Sequence, residues 1–207
     1  DNLEQASTMT LRALDVIELL DHLNLTRVHL VGIAGMGACI CQEVAIRRPD
    51  LAASLVNSGA WCFVDDYMRA QLNLWRDVHR EMGFDAFQQL VTLTAFNPDF
   101  YLANKDRLLG PDGGWGEIRN RYQSHDRITD ACLSHHSIDR LDQIRAPALV
   151  IHMGRDQITA PRLTLPIVEH IPGAASVMME NAAHVPAGRE QKSFFDSTVL
   201  NFLQSVA

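Results

Sequence analysis

The stretch Leu30-Val31-Gly32-Ile33-Ala34-Gly35-Met36-Gly37 lies between a short apolar run, Val28 to Val31, and a helical pattern from Ala38 to Arg48. An apolar run of that length, bounded by turn residues, reads as a buried strand. Three closely spaced glycines, Gly32, Gly35 and Gly37, mark a sharp turn. Pro49 stops the helix because it has no amide hydrogen to continue the ladder. Strand, tight turn and helix is the opening of a parallel crossover unit. The glycines also let helix and strand approach closely and let a central residue adopt a strained backbone. That is the setting of a nucleophile elbow, G-x-S-x-G. Two departures stand out. The nucleophile position holds Ala34, and the closing glycine arrives one place late, at Gly37 behind Met36.

The same rhythm extends outward. Ala13, Val16, Ile17, Leu20 and Leu23 repeat at helical spacing before the strand. Ala53 to Val56 is a second apolar strand, closed by Asn57-Ser58-Gly59. Near the other end, Ala148 to Met153 reads as a strand, Pro161 to His170 as a short helix, Ser176 to Met179 as a last strand, and Phe195, Val199, Phe202 and Leu203 as one face of a closing helix. Residues 61 to about 140 interrupt this alternation. They carry helical patterns rich in aromatics (Trp61, Tyr67, Trp75, Tyr101, Trp115, Tyr122), with turns at Asn97-Pro98 and Gly110 to Gly114 and no convincing strand. The expected organisation is a core segment at 1–60, a helical insertion at 61–142 and a second core segment at 143–207.

A glycine turn between strand and helix also occurs in nucleotide-binding loops. Here the spacing is G-x-x-G-x-G rather than G-x-G-x-x-G, no acidic residue ends the next strand, and no Gly-Lys-Ser/Thr follows. The 207 residues are 47% hydrophobic and 21% charged, which suits one buried core with an appendage. A net charge of −7 argues against nucleic acid or an anionic membrane as partner. No apolar run approaches the roughly 18 residues of a membrane-spanning helix, and the first residues have no basic and apolar leader pattern. The four cysteines, Cys39, Cys41, Cys62 and Cys132, form no C-x-x-C pair. They are expected to be buried free thiols in a reducing, cytoplasmic compartment.

Two further residues fall where chemistry is expected. Asp156, in Gly154-Arg155-Asp156, directly follows a strand, at the end where open α/β sheets bind ligands. Taken alone it could equally cap the next helix. His184, in Asn181-Ala182-Ala183-His184-Val185-Pro186, follows the last strand. The elbow, the acid and the histidine thus arrive in the chain order nucleophile, acid, base. Trp61 directly follows a strand, and Ile158 and Val185 flank the acid and the base; these three line a pocket or pack in the core. His125, His135 and His136 lie in a polar helical stretch without matching carboxylates and are expected at the surface or an interface, so no metal is implied.

On these stretches, together with Arg48-Pro49-Asp50, Ile144 to Ile151 and Ile171-Pro172-Gly173-Ala174, the chain resembles the α/β-hydrolase superfamily throughout. The insertion and Asn97-Pro98-Asp99-Phe100-Tyr101 resemble the branch of 3-oxoadipate enol-lactonases, small-ester hydrolases and aminoacrylate or carbamate hydrolases. The resemblance implies an α/β-hydrolase fold, a parallel sheet matching the C-terminal half of the family core, with a helical cap. It implies His184 as general base, Asp156 as the acid that orients it, and the Gly35 N–H as one oxyanion donor. The activity implied is cofactor-free hydrolysis at a carbonyl carbon of a small, partly hydrophobic substrate: an ester, lactone, C–C or carbamate-like bond. A homodimer is compatible with the sequence. The second oxyanion donor would come from a loop preceding the first residue given, so the chain is expected to belong to a longer protein with the edge of strand 28–31 covered. Ala34 has two origins compatible with this pattern: replacement of a serine, or a natural alanine with water activated by His184. A ligand-binding homologue without catalysis and a cofactor-independent His–Asp dioxygenase are the alternatives.

Overall fold

The computed structural model describes residues 5–206. Helix α1 (Met9–His22) leads into β1 (Val28–Gly32), α2 (Met36–Arg47) and β2 (Ala52–Ser58). Four helices follow: α3 (Asp66–Met82), α4 (Phe84–Ala95), α5 (Pro98–Leu108) and α6 (Tyr122–Ser134). The chain then returns through β3 (Ala148–Met153), α7 (Pro161–His170), β4 (Ala175–Met179) and α8 (Arg189–Ser205). The strands form one parallel sheet in the order β1-β2-β3-β4. The α3–α6 segment is therefore inserted between two neighbouring strands, and the residues expected to lack strands have none.

Strand β3 is buried along its whole length, as parallel strands covered on both faces must be. Its residues alternate between two cores. Ala148 and Val150 pack with α1, α2 and α7, while Leu149, Ile151 and Met153 pack with Phe195 of α8. The two apolar periods explain this arrangement: period two in the strands feeds both faces, and the helical stripe Phe195, Val199, Phe202, Leu203 covers one of them. At β1 only one face is buried, and His29 and Val31 are exposed. Leu23, expected on the buried stripe of α1, is exposed instead, because the helix ends at His22 and Leu23 has left the stripe. No described helix is long and apolar enough to cross a membrane.

The turn between β1 and α2 depends on Gly32. A Cβ there would run into the backbone Cα and nitrogen of Ala38 in the first turn of α2. Backbone cannot yield as a side chain tip can, so strand and helix would have to separate. Gly32→Ala is expected to destabilise the fold by about 3 kcal/mol, the upper range for overpacking. Urea unfolding would read this as a lower midpoint with an unchanged slope.

Candidate active site

Three turns at the C-terminal ends of the strands build the site. The first follows β1. Ala34 has φ +56°, a left-handed conformation that costs a residue with a Cβ about 1–2 kcal/mol. Gly35 follows at φ +80° and caps α2, which starts at Met36, two residues earlier than its apolar pattern suggests. A Cβ on Gly35 would press on the Trp61 ring at 3.3 Å and lie 4.0 Å from His184 Cε1, so the strained turn packs directly against the histidine.

The second turn follows β3. Asp156 is buried and its two oxygens have separate tasks. Oδ1 accepts from the backbone amides of Ile158 (2.7 Å) and Thr159 (2.9 Å), which fixes the loop ahead of α7. Oδ2 lies 2.9 Å from His184 Nδ1 and accepts from the Thr159 hydroxyl at 2.8 Å. Of the two roles the sequence left open, the carboxylate takes the orienting one: α7 has Ala160 at its N-cap with no side-chain cap bond, and Asp156 instead folds the loop ahead of it. The third turn, after β4, carries His184. Its Nδ1 faces Asp156 and, at 3.2 Å, Thr159 Oγ1. Since Oδ2 is an acceptor, Nδ1 carries the proton and Nε2 is left free to take one.

Burial would by itself raise the Asp156 pKa, but the hydrogen bond and charge of His184, with the donors of residues 158 and 159, hold it below the usual carboxylate range. The carboxylate is therefore ionised wherever the histidine is useful as a base.

These turns open onto a cavity of about 340 Å³. Ala34, Gly35, Met36, Thr159, Ile158 and His184 form its floor. Its walls come from Trp61 and from the inserted helices: Met68, Leu72 and Trp75 of α3, Phe87 and Val91 of α4, and His125, Ile128, Thr129 and Cys132 of α6. Trp115, at φ +63°, Glu117 and Ile118 complete it. The cavity is mainly apolar, as small-molecule sites are. Cys132 offers no rival nucleophile, because burial pushes its thiol up to about 12.

The structure thus brings Ala34, Gly35, Asp156, His184, Trp61 and Ile158 together. Val185 is not with them. Its side chain is half-buried against the core, and its N–H is bonded to Ala95 O at 3.0 Å, tying the histidine turn to the end of α4. The surface expectation for the histidines holds only for His136, exposed beside Asp139. His125 is buried in the cavity wall, and His135 is buried under the Trp61 ring, 3.8 Å from Glu43. Among the described residues no three His, Cys, Asp or Glu side chains gather as a metal ion would require. Three cysteines are buried free thiols, while Cys41 is half-buried. Thr159 and the α6 wall were missed. A signal for the wall was present: His125, Ile128, Thr129 and Cys132 follow i, i+3, i+4, i+7 and so share one helix face.

His125 and His135 resist protonation. Burial, then the neighbouring His79, lowers His125 to about 4; burial lowers His135 to about 4 although Glu43 opposes it. Their folded pKa values lie below the unfolded value near 6.5. The unfolded chain therefore takes up protons first as pH falls, and stability declines between about pH 6.5 and 4. Urea midpoints across this range should show the decline, and His135→Asn should make it shallower.

Residues 4–196 match the alpha/beta hydrolase family. A protein of Agrobacterium fabrum named "Putative carbamate hydrolase RutD" is 27% identical over 191 residues, 91% of this chain and 72% of that protein. Among solved structures, the alpha/beta hydrolase MGS-M2 from a Medee basin deep-sea metagenome superposes with a TM-score of 0.84 at 24% identity, over 97% of this chain and 74% of that one. The enol-lactonase of Burkholderia xenovorans LB400 superposes with a TM-score of 0.80 at 20% identity, over 95% and 73%. Strand order, turn geometry and the family match agree, and the chain belongs to the alpha/beta hydrolase family.

Proposed function

We propose that this chain hydrolyses a small, partly hydrophobic substrate at a carbonyl carbon, with water rather than a side chain as the attacking group. The observation that carries this reading is the oriented pair Asp156–His184 beside a strained turn whose central residue, Ala34, has no nucleophile. Ala34 is taken as the occupant of the family's serine position. A left-handed alanine is costly, and such strain is retained where a site depends on it. His184 Nε2 removes a proton from water held above Ala34, and Asp156 stabilises the imidazolium that forms. The oxygen of the attacked carbonyl is received by the Gly35 N–H at the positive end of α2. The imidazolium then protonates the leaving group.

The α3–α6 segment serves as a cap that excludes bulk water and shapes the cavity. The carbamate-hydrolase name of the relatives supports carbamate-like bonds as the first class to assay, followed by lactones and esters. No cofactor enters this chemistry. Buried free cysteines suit a reducing compartment such as the cytoplasm.

The experiment is turnover of p-nitrophenyl carbamates, short esters and lactones, with intact-mass analysis of the acid-quenched protein. Product formed without an acyl adduct supports direct water attack. An adduct on any residue contradicts it. The absent nucleophile also favours one alternative, a ligand-binding homologue. Tight binding of such compounds with no release of product would establish that reading instead, and dioxygen consumption would point to oxygenase chemistry.

A further inference from the structure

Trp61 is the cavity wall that packs on the catalytic turn: a Cβ on Gly35 would lie 3.3 Å from its Cζ3. Its main chain is pinned. The Cys39 thiol donates to the Trp61 carbonyl at 3.4 Å, and the amides of Ser137 and Ile138 donate to the next carbonyl, Cys62 O, at 2.8 and 3.1 Å. The indole ring has no such tether. Its Nε1 is buried and has no hydrogen-bond partner among the described residues. Packing therefore sets the ring's position, and His135 meets it edge to face, with centroids 6.0 Å apart and planes at 86°.

His135 is in turn fixed by a buried polar chain. Its Nε2 lies 3.3 Å from Ser137 Oγ and 3.4 Å from Gln42 Oε1, and its Nδ1 lies 3.8 Å from Glu43 Oε1. Ser137 Oγ donates to Gln42 Oε1 at 2.8 Å, Gln42 Nε2 to Asn57 Oδ1 at 2.6 Å, and Asn57 Nδ2 to Ala38 O at 3.0 Å. Arg140 clamps both oxygens of Glu43, at 2.6 and 3.0 Å. Gln42, Glu43, Asn57, His135 and Ser137 are all buried. Burying such groups costs solvation, and well-packed apolar side chains often give equal or greater stability. A satisfied polar network adds something else: it rigidifies one arrangement. Here it ties α2 and the end of β2 to the histidine that backs the cavity wall.

We propose that His135 is a positioning residue: anchored by this network, it sets the Trp61 ring against the Gly35 turn and so fixes the wall that a ligand in the cavity meets. This rests on the cavity being the substrate site. It does not require turnover, so the ring's environment and ligand binding are the readouts.

His135→Ala removes the contact but isolates no neighbour, because Ser137 and Gln42 keep each other and Glu43 keeps Arg140. Ser137→Ala is milder, loosening one anchor of a ring that stays. With 5-fluorotryptophan at the three tryptophans, ¹⁹F spectra should show the Trp61 signal, assigned by Trp61→Phe, shift in both variants while those of Trp75 and Trp115 stay. An unmoved Trp61 signal in either variant overturns the proposal. So does an equal shift of all three signals, which would mean a general loosening of the fold. Calorimetry with octan-2-one, a non-hydrolysable ketone, should give a Kd raised roughly tenfold in His135→Ala, the most that one aromatic pair contributes. A Kd within about twofold of the starting value overturns the proposal. If His135→Ala does not fold, Ser137→Ala carries both readings, and an unchanged signal or Kd there overturns it equally. If the ketone does not bind the unmodified protein, the cavity is not the site and the inference falls with it. If the variants behave as expected but no compound is hydrolysed, the inference stands and the hydrolytic reading fails.

Discussion

Replacing His184 by alanine is expected to lower kcat for any hydrolysed substrate by about a thousandfold, the middle of the range for a positioned general base. The structure makes this a clean experiment. Asp156 would lose one partner but keep three donors, the amides of Ile158 and Thr159 and the Thr159 hydroxyl. The carboxylate therefore stays satisfied, and the variant should fold. The converse change, Asp156→Ala, would orphan those three donors and loosen the loop before α7, so its loss of rate would mix catalysis with stability. Stopped assays with a p-nitrophenyl carbamate, alongside a urea curve, separate the two. A rate within threefold of the starting protein would remove His184 from the chemistry.

The second large effect is a gain. Ala34→Ser should raise kcat/KM toward activated esters by at least about a hundredfold and introduce a burst of acyl-enzyme. The reasons are local. Ala34 already sits at φ +56°, so serine adds little further strain. The residue lines the cavity with His184 and Gly35, so a hydroxyl there has a base and an oxyanion donor within the same small space. Rapid-quench kinetics and intact mass would detect the burst and the adduct.

Much of this was legible in the sequence, and the reasons are specific. The β1–α2 turn was readable because Gly32 and Gly35 are demanded by local geometry, Gly32 by its approach to Ala38 and Gly35 by its positive φ, whereas Gly37 has open space around it. Asp156 and His184 were readable because each lies in the turn that follows a strand, and a parallel sheet places all such turns at one end. What escaped depends on long-range pairing. His79 and His125 are 46 residues apart and look like polar helix residues until α3 and α6 pack together. Glu43, a charged residue of α2 that the sequence pattern did not single out, is buried and held by Arg140 from 97 residues away. Val185 misled for the opposite reason. Adjacency to a catalytic candidate says nothing of side-chain direction, and its backbone is committed to Ala95.

The central claim is that the Ala34 position and His184 face each other as parts of one catalytic unit. A double-mutant cycle tests it most directly: kcat/KM for a p-nitrophenyl ester with the starting chain, Ala34→Ser, His184→Ala, and both together. The account predicts that the serine's gain vanishes when His184 is absent, because an unactivated hydroxyl is a weak nucleophile. An equal gain with and without His184 would contradict it.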